Sequence, residues 1–357
     1  MARATAPSVL VLGRADEVGH ESREVVEGAT PWPLLWAHAT SIGVAVAMCL
    51  VVIMIVELAF FRSGFFMSHV TLSDPDFPLG KLALAQRMPD AQVLYVGDST
   101  INTGIAPAVV TEECRCGPGF NGAIGASTPW LTTAMTRHLL EIEHPRLVVI
   151  GVGPWTADSA RRFADSEIAH EVLRPDEYTT LGQPPNLLSR MDTAIGEVWS
   201  AYGQRPVLKE WLASWVPGHA YDVTKRGFYP YPGSFTSPAQ LGAALAKLDP
   251  DASTELSSSA PGLAVTRELI DELRARGIRV AIVLPPLHPF AYEQRGPYLD
   301  RANAIITEFA AVEGAAVLDC RGSVGPSDFR DLVHLGETGA IKFSRCLGDQ
   351  LGGLVQR

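Results

Sequence analysis

The chain of 357 residues is acidic, with a net charge of −10, and 47% of its residues are hydrophobic while 19% are charged. Because no run of Lys and Arg interrupts this acidic balance, we do not expect the protein to bind nucleic acid. About 290 residues follow the most apolar segment, which is enough for one large domain with its own core.

The N-terminal part of the chain is predicted to cross a membrane once. Residues 39–56 carry no charge and are dense in Val, Ile, Ala, Met and Leu, with two Trp residues before them and two Phe residues after them. An apolar run of this length with aromatic residues at both ends is typical of a membrane-spanning helix. We therefore predict a disordered tail over 1–35 and a transmembrane anchor over 36–62.

Two other interpretations of the apolar run stay open, namely a cleaved signal peptide and a helix buried in a soluble domain. A signal peptide usually begins with a short basic region. Here 38 residues, several of them acidic, precede the run, which favours an uncleaved anchor. The positive-inside rule gives almost no preference for an orientation, because Arg23 and Arg62 lie on opposite sides of the run.

Four of the five cysteines follow the apolar run. An even number is typical of disulfides in an oxidising compartment, so we place the soluble part on the extracytoplasmic side. Cys114, Cys116, Cys320 and Cys346 allow three pairings, and buried free thiols are the alternative. The Cys-x-Cys pair has no nearby His or second Cys pair, which makes it a poor zinc signature, and no metal site is predicted.

After the anchor, residues 63–90 form a proline-containing connector, and strands then alternate with helices. We predict strands over 92–96, 146–152, 278–284 and 315–318, and helices over 128–143, 264–276, 298–313 and 337–351. Such alternation indicates a parallel sheet with helices on its faces. The predicted fold over 91–357 is therefore α/β, a three-layer α/β/α sandwich with a mostly parallel central sheet.

An insertion of roughly a hundred residues, at about 155–255, is too long for a plain connection. It contains two helical patterns, over 186–201 and 207–215, and an aromatic, proline-rich stretch over 226–233. The aromatic side chains of this stretch could stack on sugar rings or hold a lipid beside a cleft. They could equally pack in a surface turn with no role in binding.

Two distant segments together supply the parts of a nucleophilic serine site. An apolar run ends in Gly97-Asp98-Ser99, and Asp331 precedes His334 by three residues on a loop that enters the last helix. An imidazole, with an ordinary pKa of about 6.5, can take the proton of a serine hydroxyl near neutral pH. A carboxylate on its other ring nitrogen fixes the tautomer. We predict Ser99 as the nucleophile, His334 as base and then acid, and Asp331 as the group that orients it.

Either motif alone also occurs as a capping or surface feature, but their contexts agree with a known family. The chain resembles the SGNH (GDSL-type) hydrolases and their acyltransferase relatives over about 90–160 and 278–350. The matching segments are 97–99 for the nucleophile block, 120–127 for the second block, 148–153 for the strand into the third block and 331–335 for the Asp-x-x-His block. The resemblance implies a flavodoxin-like sandwich and an oxyanion or substrate site at Gly125 and Gly153.

One departure from the family pattern concerns the third block. It normally reads Gly-x-Asn-Asp and its Asn side chain donates to the oxyanion, whereas this chain has Gly153-Pro154-Trp155-Thr156. Losing one oxyanion donor can cost about 3–4 kcal/mol in other acyl-transfer enzymes. Membrane-anchored SGNH-like proteins of cell-envelope acylation often lack this Asn too. The resemblance therefore implies a membrane-anchored O-acyltransferase or esterase acting on an acylated envelope glycan.

The reaction that the resemblance implies proceeds through an acyl-enzyme and needs no cofactor. Its substrate would be an acylated glycan or a small acyl ester. One span cannot carry an acyl group across a bilayer, so the transferase version implies a multi-span membrane acyltransferase as a partner. The alternative is a non-catalytic glycan-binding or scaffold protein on an SGNH-like fold, and the missing Asn is the best support for it.

Overall fold

The computed structural model describes residues 32–158, 173, 187–231, 237–248 and 255–355. The chain divides into two compact units, Met1–Val52 and Ile53–Arg357. The tail that we predict to be disordered lies outside the described residues up to position 31. The aromatic stretch of the insertion is described as far as Tyr231.

The first described element is the apolar helix α1 (Trp32–Val56), which continues as one π-helical segment over Glu57–Arg62. The segment Ser41–Arg62 is long and apolar enough to cross a membrane, with a mean hydropathy of 2.9. This segment lies within the predicted anchor at 36–62.

Five parallel strands form the central sheet. They are β1 (Val93–Val96), β2 (Gly119–Asn121), β3 (Leu147–Gly151), β4 (Arg279–Leu284) and β5 (Ala316–Asp319), in the spatial order β2-β1-β3-β4-β5. Every neighbouring pair is parallel, with Val93 opposite both Gly119 and Leu147. The predicted parallel sheet is confirmed, and β2 is an additional edge strand that the sequence patterns did not indicate.

Twelve further helices are described. They are α2 (Phe65–His69), α3 (Pro78–Arg87), α4 (Ser99–Gly104), α5 (Pro107–Cys114), α6 (Pro129–Leu140), α7 (Leu187–Val198), α8 (Ser200–Gly203), α9 (Arg205–Ser214), α10 (Pro238–Leu248), α11 (Pro261–Ala275), α12 (Pro289–Val312) and α13 (Glu337–Val355). The stretch that we expected to be a connector, 63–90, thus contains α2 and α3. The single helix predicted over 186–201 is broken at Trp199, between α7 and α8.

The sheet is covered on both faces, which makes the three layers of the predicted sandwich. Side chains of alternate residues point to opposite faces of a strand. Leu94 of β1 belongs to a buried cluster with residues of α6, α11 and α12, whereas Tyr95 belongs to a second cluster with residues of α5 and α13. Both faces of the strands are therefore buried, as the continuous apolar runs in the sequence predicted.

Two disulfides fix the chain near the ends of the sheet. Cys114 bonds to Cys116, and Cys320 bonds to Cys346, which is one of the three pairings allowed by the sequence. The second bridge joins the segment after β5 to α13 and encloses the loop that carries the predicted Asp-x-x-His motif. In the chain-entropy account, closing a loop of this size stabilises the fold by about 3 kcal/mol.

Candidate active site

The nucleophile motif lies in a sharp turn at the carboxyl end of β1. Gly97 has a φ of 150°, and a Cβ atom there would contact the side chain of Ile101. The carboxylate of Asp98 caps α4 by accepting hydrogen bonds from the Thr100 N–H at 2.9 Å and the Thr100 hydroxyl at 2.6 Å. Ser99 is therefore the first residue of α4, where a backbone N–H has no acceptor within the helix.

The structure brings the three predicted triad residues together, although 235 positions separate the serine from the histidine. His334 Nε2 lies 2.8 Å from Ser99 Oγ, and His334 Nδ1 lies 2.6 Å from Asp331 Oδ2. The other carboxylate oxygen of Asp331 accepts the N–H groups of Val333 at 2.8 Å and His334 at 2.7 Å. The result is a continuous chain of hydrogen bonds from carboxylate to imidazole to hydroxyl.

The surroundings of Asp331 favour its ionised form. Burial acts to raise the pKa of its carboxyl, but the hydrogen bond and charge of the His334 ring, together with the two backbone N–H donors, hold that pKa below its usual value. An ionised carboxylate at this place can accept a hydrogen bond from Nδ1–H and stabilise an imidazolium. The side chains of both residues are largely buried, with 8% of Asp331 and 15% of His334 exposed.

An aromatic residue that sequence reasoning did not assign to the site, Tyr231, covers the imidazole. Its ring stacks on that of His334 with 4.3 Å between centroids and 23° between planes. Its hydroxyl donates a hydrogen bond to Asp331; burial and the charge of that carboxylate raise the pKa of Tyr231. Tyr231 thus contacts both His334, the predicted base, and Asp331, the residue predicted to orient it. The only signal in the sequence was its place in the aromatic stretch.

The segment that carries Tyr231, residues 226–231, is called here the aromatic strap. A fully buried lysine, Lys81 of α3, donates hydrogen bonds to the carbonyl of Gly227 in the strap and to the Asn102 side chain of α4, the latter at 2.7 Å. Burial lowers the pKa of Lys81 to about 8, against the charge of nearby Asp76. The aromatic strap and α4 are therefore joined by hydrogen bonds to one buried cation.

Gly125, predicted to supply an oxyanion N–H, lies beside the nucleophile turn. The N–H of Ile124 donates to the carbonyl of Gly97 at 3.3 Å, which holds the second block against the first. The carboxyl of Asp76 lies close to the backbone N–H of Gly125 and accepts a hydrogen bond from Asn102. Burial raises the pKa of Asp76, although Lys81 and these two N–H donors act in the opposite direction.

Gly153, the other predicted oxyanion or substrate residue, follows β3 and precedes one 3-10 turn over Pro154–Ala157. A Cβ atom at Gly153 would contact the ring of Trp155. The indole N–H of Trp155 donates to Asp98 Oδ2 at 3.1 Å. The residue at the position of the family's Asn therefore directs its N–H at the carboxyl beside the nucleophile.

An apolar cavity of about 40 Å³ adjoins this site. Its lining includes Trp155, Leu287, Leu299 and Val333. Val333 lies between Asp331 and His334 in the chain, so the cavity borders the loop that carries these two residues. Within the described ranges, no group of three or more His, Cys, Asp and Glu residues could hold a metal ion.

No protein-family model and no curated protein matches this chain. Several solved structures are similar to it. One is a putative lipolytic protein of the G-D-S-L family from Desulfitobacterium hafniense, with 10% identity and a TM-score of 0.36, and the match covers 72% of this chain and 98% of that one. A second is a lipase/acylhydrolase from Enterococcus faecalis, with 13% identity and a TM-score of 0.35, covering 74% of this chain and 96% of that one. A third is a carbohydrate acetylesterase from Sinorhizobium meliloti, with 14% identity and a TM-score of 0.33, covering 74% of this chain and 99% of that one. The chain is thus similar in structure to SGNH-type esterases and acylhydrolases. Because the identities are low, its function is inferred from the site itself.

Proposed function

We propose that this protein is a membrane-anchored SGNH-like O-acyltransferase or esterase that acts on an acylated cell-envelope glycan through an acyl-enzyme. The observation that carries the proposal is the hydrogen-bond chain from Asp331 through His334 to Ser99, with distances of 2.6 and 2.8 Å. Geometry of this kind activates a serine hydroxyl for attack on an acyl carbon.

The proposed reaction has two halves. His334 Nε2 takes the hydroxyl proton while Ser99 Oγ bonds to the acyl carbon, and the imidazolium then gives that proton to the leaving alcohol oxygen. In the second half, His334 takes a proton from a glycan hydroxyl or from water, whose oxygen attacks the acyl-serine. The proton returns to Ser99 Oγ as the ester bond breaks, which restores the enzyme.

The oxyanion of each half-reaction would be held by the backbone N–H groups of Ser99 and Gly125, beside Gly153. In this proposal the substrate oxygen competes with the nearby carboxyl of Asp76 for the Gly125 N–H.

The surroundings of the triad support an acyl ester of a sugar as the substrate class. The cavity beside Val333 offers an apolar lining to an acyl group, and the ring of Tyr231 lies against His334 beside it. The two disulfides and the apolar helix support a single-pass protein with its enzyme domain on the extracytoplasmic side. For transfer, a multi-span partner would deliver the acyl group.

Trapping the acyl-enzyme tests this proposal. The full chain is incubated with an aryl acetate or an acylated glycan, quenched in acid and examined by peptide mass spectrometry, with Ser99→Ala as the matched control. We expect an acyl group on the peptide that contains Ser99 and none in the control. Glycan binding without any adduct or turnover would favour the non-catalytic scaffold instead. The ratio of acylated acceptor to free acid then separates transfer from hydrolysis.

A further inference from the structure

Exposed large hydrophobic side chains are concentrated in one part of the catalytic unit. Beyond the apolar segment that ends at Arg62, the exposed large hydrophobic residues that the structure describes are Phe65, Leu188, Met191, Ile195, Val198, Trp199, Leu212, Trp215 and Val216, and the single one elsewhere is Val312. Exposed apolar side chains concentrated in this way on a folded domain mark a surface that meets a protein or a membrane.

Helix α7 presents its apolar face away from the protein. Leu188, Met191, Ile195 and Val198 follow one another at intervals of three, four and three residues, which places them on one face of a helix. They are 76%, 51%, 41% and 78% exposed. An amphipathic helix of a soluble domain normally turns such a face toward the core, whereas a helix at a bilayer surface turns it toward lipid.

The same helices are bonded to the segment in which the apolar helix ends. The carboxylate of Glu57 accepts the N–H groups of Ser200 at 2.5 Å and Ala201 at 3.0 Å, at the start of α8. The guanidinium of Arg62 donates to the carbonyl of Val198 at 2.7 Å, at the end of α7. The carboxyl end of α7 is therefore hydrogen-bonded to the segment in which the predicted span leaves the membrane.

Two exposed tryptophans fit the same partner. Trp199 is 49% exposed between α7 and α8, and Trp215 is 64% exposed at the end of α9. Trp side chains are enriched at membrane–water interfaces, where one end of the ring system is apolar and the other is wet. Their presence at the surface fits a lipid interface.

The patch is also held rigidly on the catalytic unit. Behind it, Phe61, Phe66, Met67 and Val207 form a buried cluster with Trp211 packed against them. The N–H of Ser73 donates to the carbonyl of Glu210 in α9 at 3.2 Å, and Phe66 and Trp211 meet edge to face with 5.7 Å between ring centroids. Contact of the patch with a bilayer would therefore fix the position of the whole unit.

We propose that α7, with Trp199 and Trp215, is a membrane-seating surface that lies in the interfacial layer of the bilayer crossed by α1. This inference rests on the single-pass anchor of the proposed function and assigns a role to the insertion. The seated unit presents its active site at a fixed height above the lipid, so the enzyme acts on substrates that lie close to the membrane.

The test places an environment-sensitive dye on α7 in the full chain, reconstituted into phosphatidylcholine vesicles. Ile195→Cys is made in a Cys49→Ala background, which removes the one free thiol among the described cysteines, and is labelled with the NBD fluorophore. Val312→Cys in the same background is the matched control, because Val312 is an exposed apolar residue outside the patch. Lipids with a nitroxide near the headgroup serve as quenchers.

We expect quenching of roughly threefold or more at position 195 and almost none at position 312, since only α7 would lie in the interfacial layer. Adding Leu188→Glu and Val198→Glu should reduce the quenching at 195 toward that of the control, while the vesicles still retain the protein at alkaline pH. Equal quenching at both positions would overturn the proposal. So would quenching at 195 that falls as more copies are loaded per vesicle, because a second copy of the chain would then cover α7. Release of the unmodified protein at alkaline pH would instead refute the anchor.

Discussion

The substitution Asp331→Asn should abolish most activity while leaving the fold in place. In the native site, Asp331 Oδ1 accepts the N–H groups of Val333 and His334 at 2.8 and 2.7 Å, and Oδ2 accepts from the imidazole at 2.6 Å. An asparagine oxygen can keep the two backbone bonds. Its NH₂ group then faces Nδ1, and two N–H donors cannot bond to each other.

The imidazole must therefore place its proton on Nε2, which lies 2.8 Å from Ser99 Oγ. A protonated Nε2 cannot accept the hydroxyl proton, and the negative charge that stabilised the imidazolium is gone. In the Ser-His-Asp template the corresponding change lowers kcat by about 10⁴-fold, equivalent to about 5.5 kcal/mol. We expect a loss of the same order here.

Hydrolysis of an aryl acetate, measured beside thermal unfolding, checks this expectation. The matched control is Asp328→Asn, which removes a nearby buried carboxylate that pairs with Lys342 and makes no contact with the imidazole. The control should lose stability but keep its activity within about tenfold. A fully folded Asp331→Asn enzyme with activity within tenfold of the native protein would refute the triad.

Three further expectations concern neighbouring groups. Tyr231→Leu removes both the ring stack and the hydroxyl and should lower kcat/KM about 10- to 100-fold, whereas Tyr231→Phe should lower it about 3- to 10-fold. Equal activity of the native protein and both variants would contradict a role for this contact. Burial raises the pKa of Glu143 to about 7. The unfolding free energy of the native protein should therefore fall relative to that of Glu143→Gln as the pH rises from about 4.5 to 7. Denaturant titrations would show this fall, and a difference between the two proteins that stays constant with pH would contradict it. Replacing Cys320 and Cys346 by Ala should lower the unfolding free energy by about 3 kcal/mol, and an unchanged Tm would argue against that bridge.

Most of the sheet follows from the sequence because its strands are buried on both faces. The apolar runs predicted as strands correspond to β1, β3, β4 and β5, and no end differs by more than one residue. In contrast, β2 (Gly119–Asn121) contains Gly and Asn, which are depleted in strands. It becomes a strand because it pairs with β1, and that contact is not visible in the local pattern.

The helices show the same division between local and tertiary causes. The helix predicted over 298–313 begins nine residues earlier, at Pro289. The predicted range starts directly after Pro297, and a proline inside a helix removes a backbone donor and obstructs the preceding turn. The structure accommodates it with a kink, where Arg295 has a φ of −134°.

The proximity of Ser99, Asp331 and His334 could be predicted because each motif carries its own local signature at the end of a strand or the start of a helix. The other groups around these residues have none. Lys81 acquires its place through hydrogen bonds to Asn102 and Gly227, which lie 21 and 146 positions away in the chain. Tyr231 reaches the imidazole only through the path of the insertion, so only a structure could show this contact.

Active-site labelling tests the central claim most directly. The full chain and its Ser99→Ala variant are treated with a fluorophosphonate, which reacts with an activated serine hydroxyl, and the labelled peptide is identified by mass spectrometry. Our account predicts one label, on Ser99, that disappears in the variant and is strongly slowed in His334→Ala. Undiminished labelling of the Ser99→Ala variant, or of folded His334→Ala, would show that this hydroxyl and imidazole do not act together.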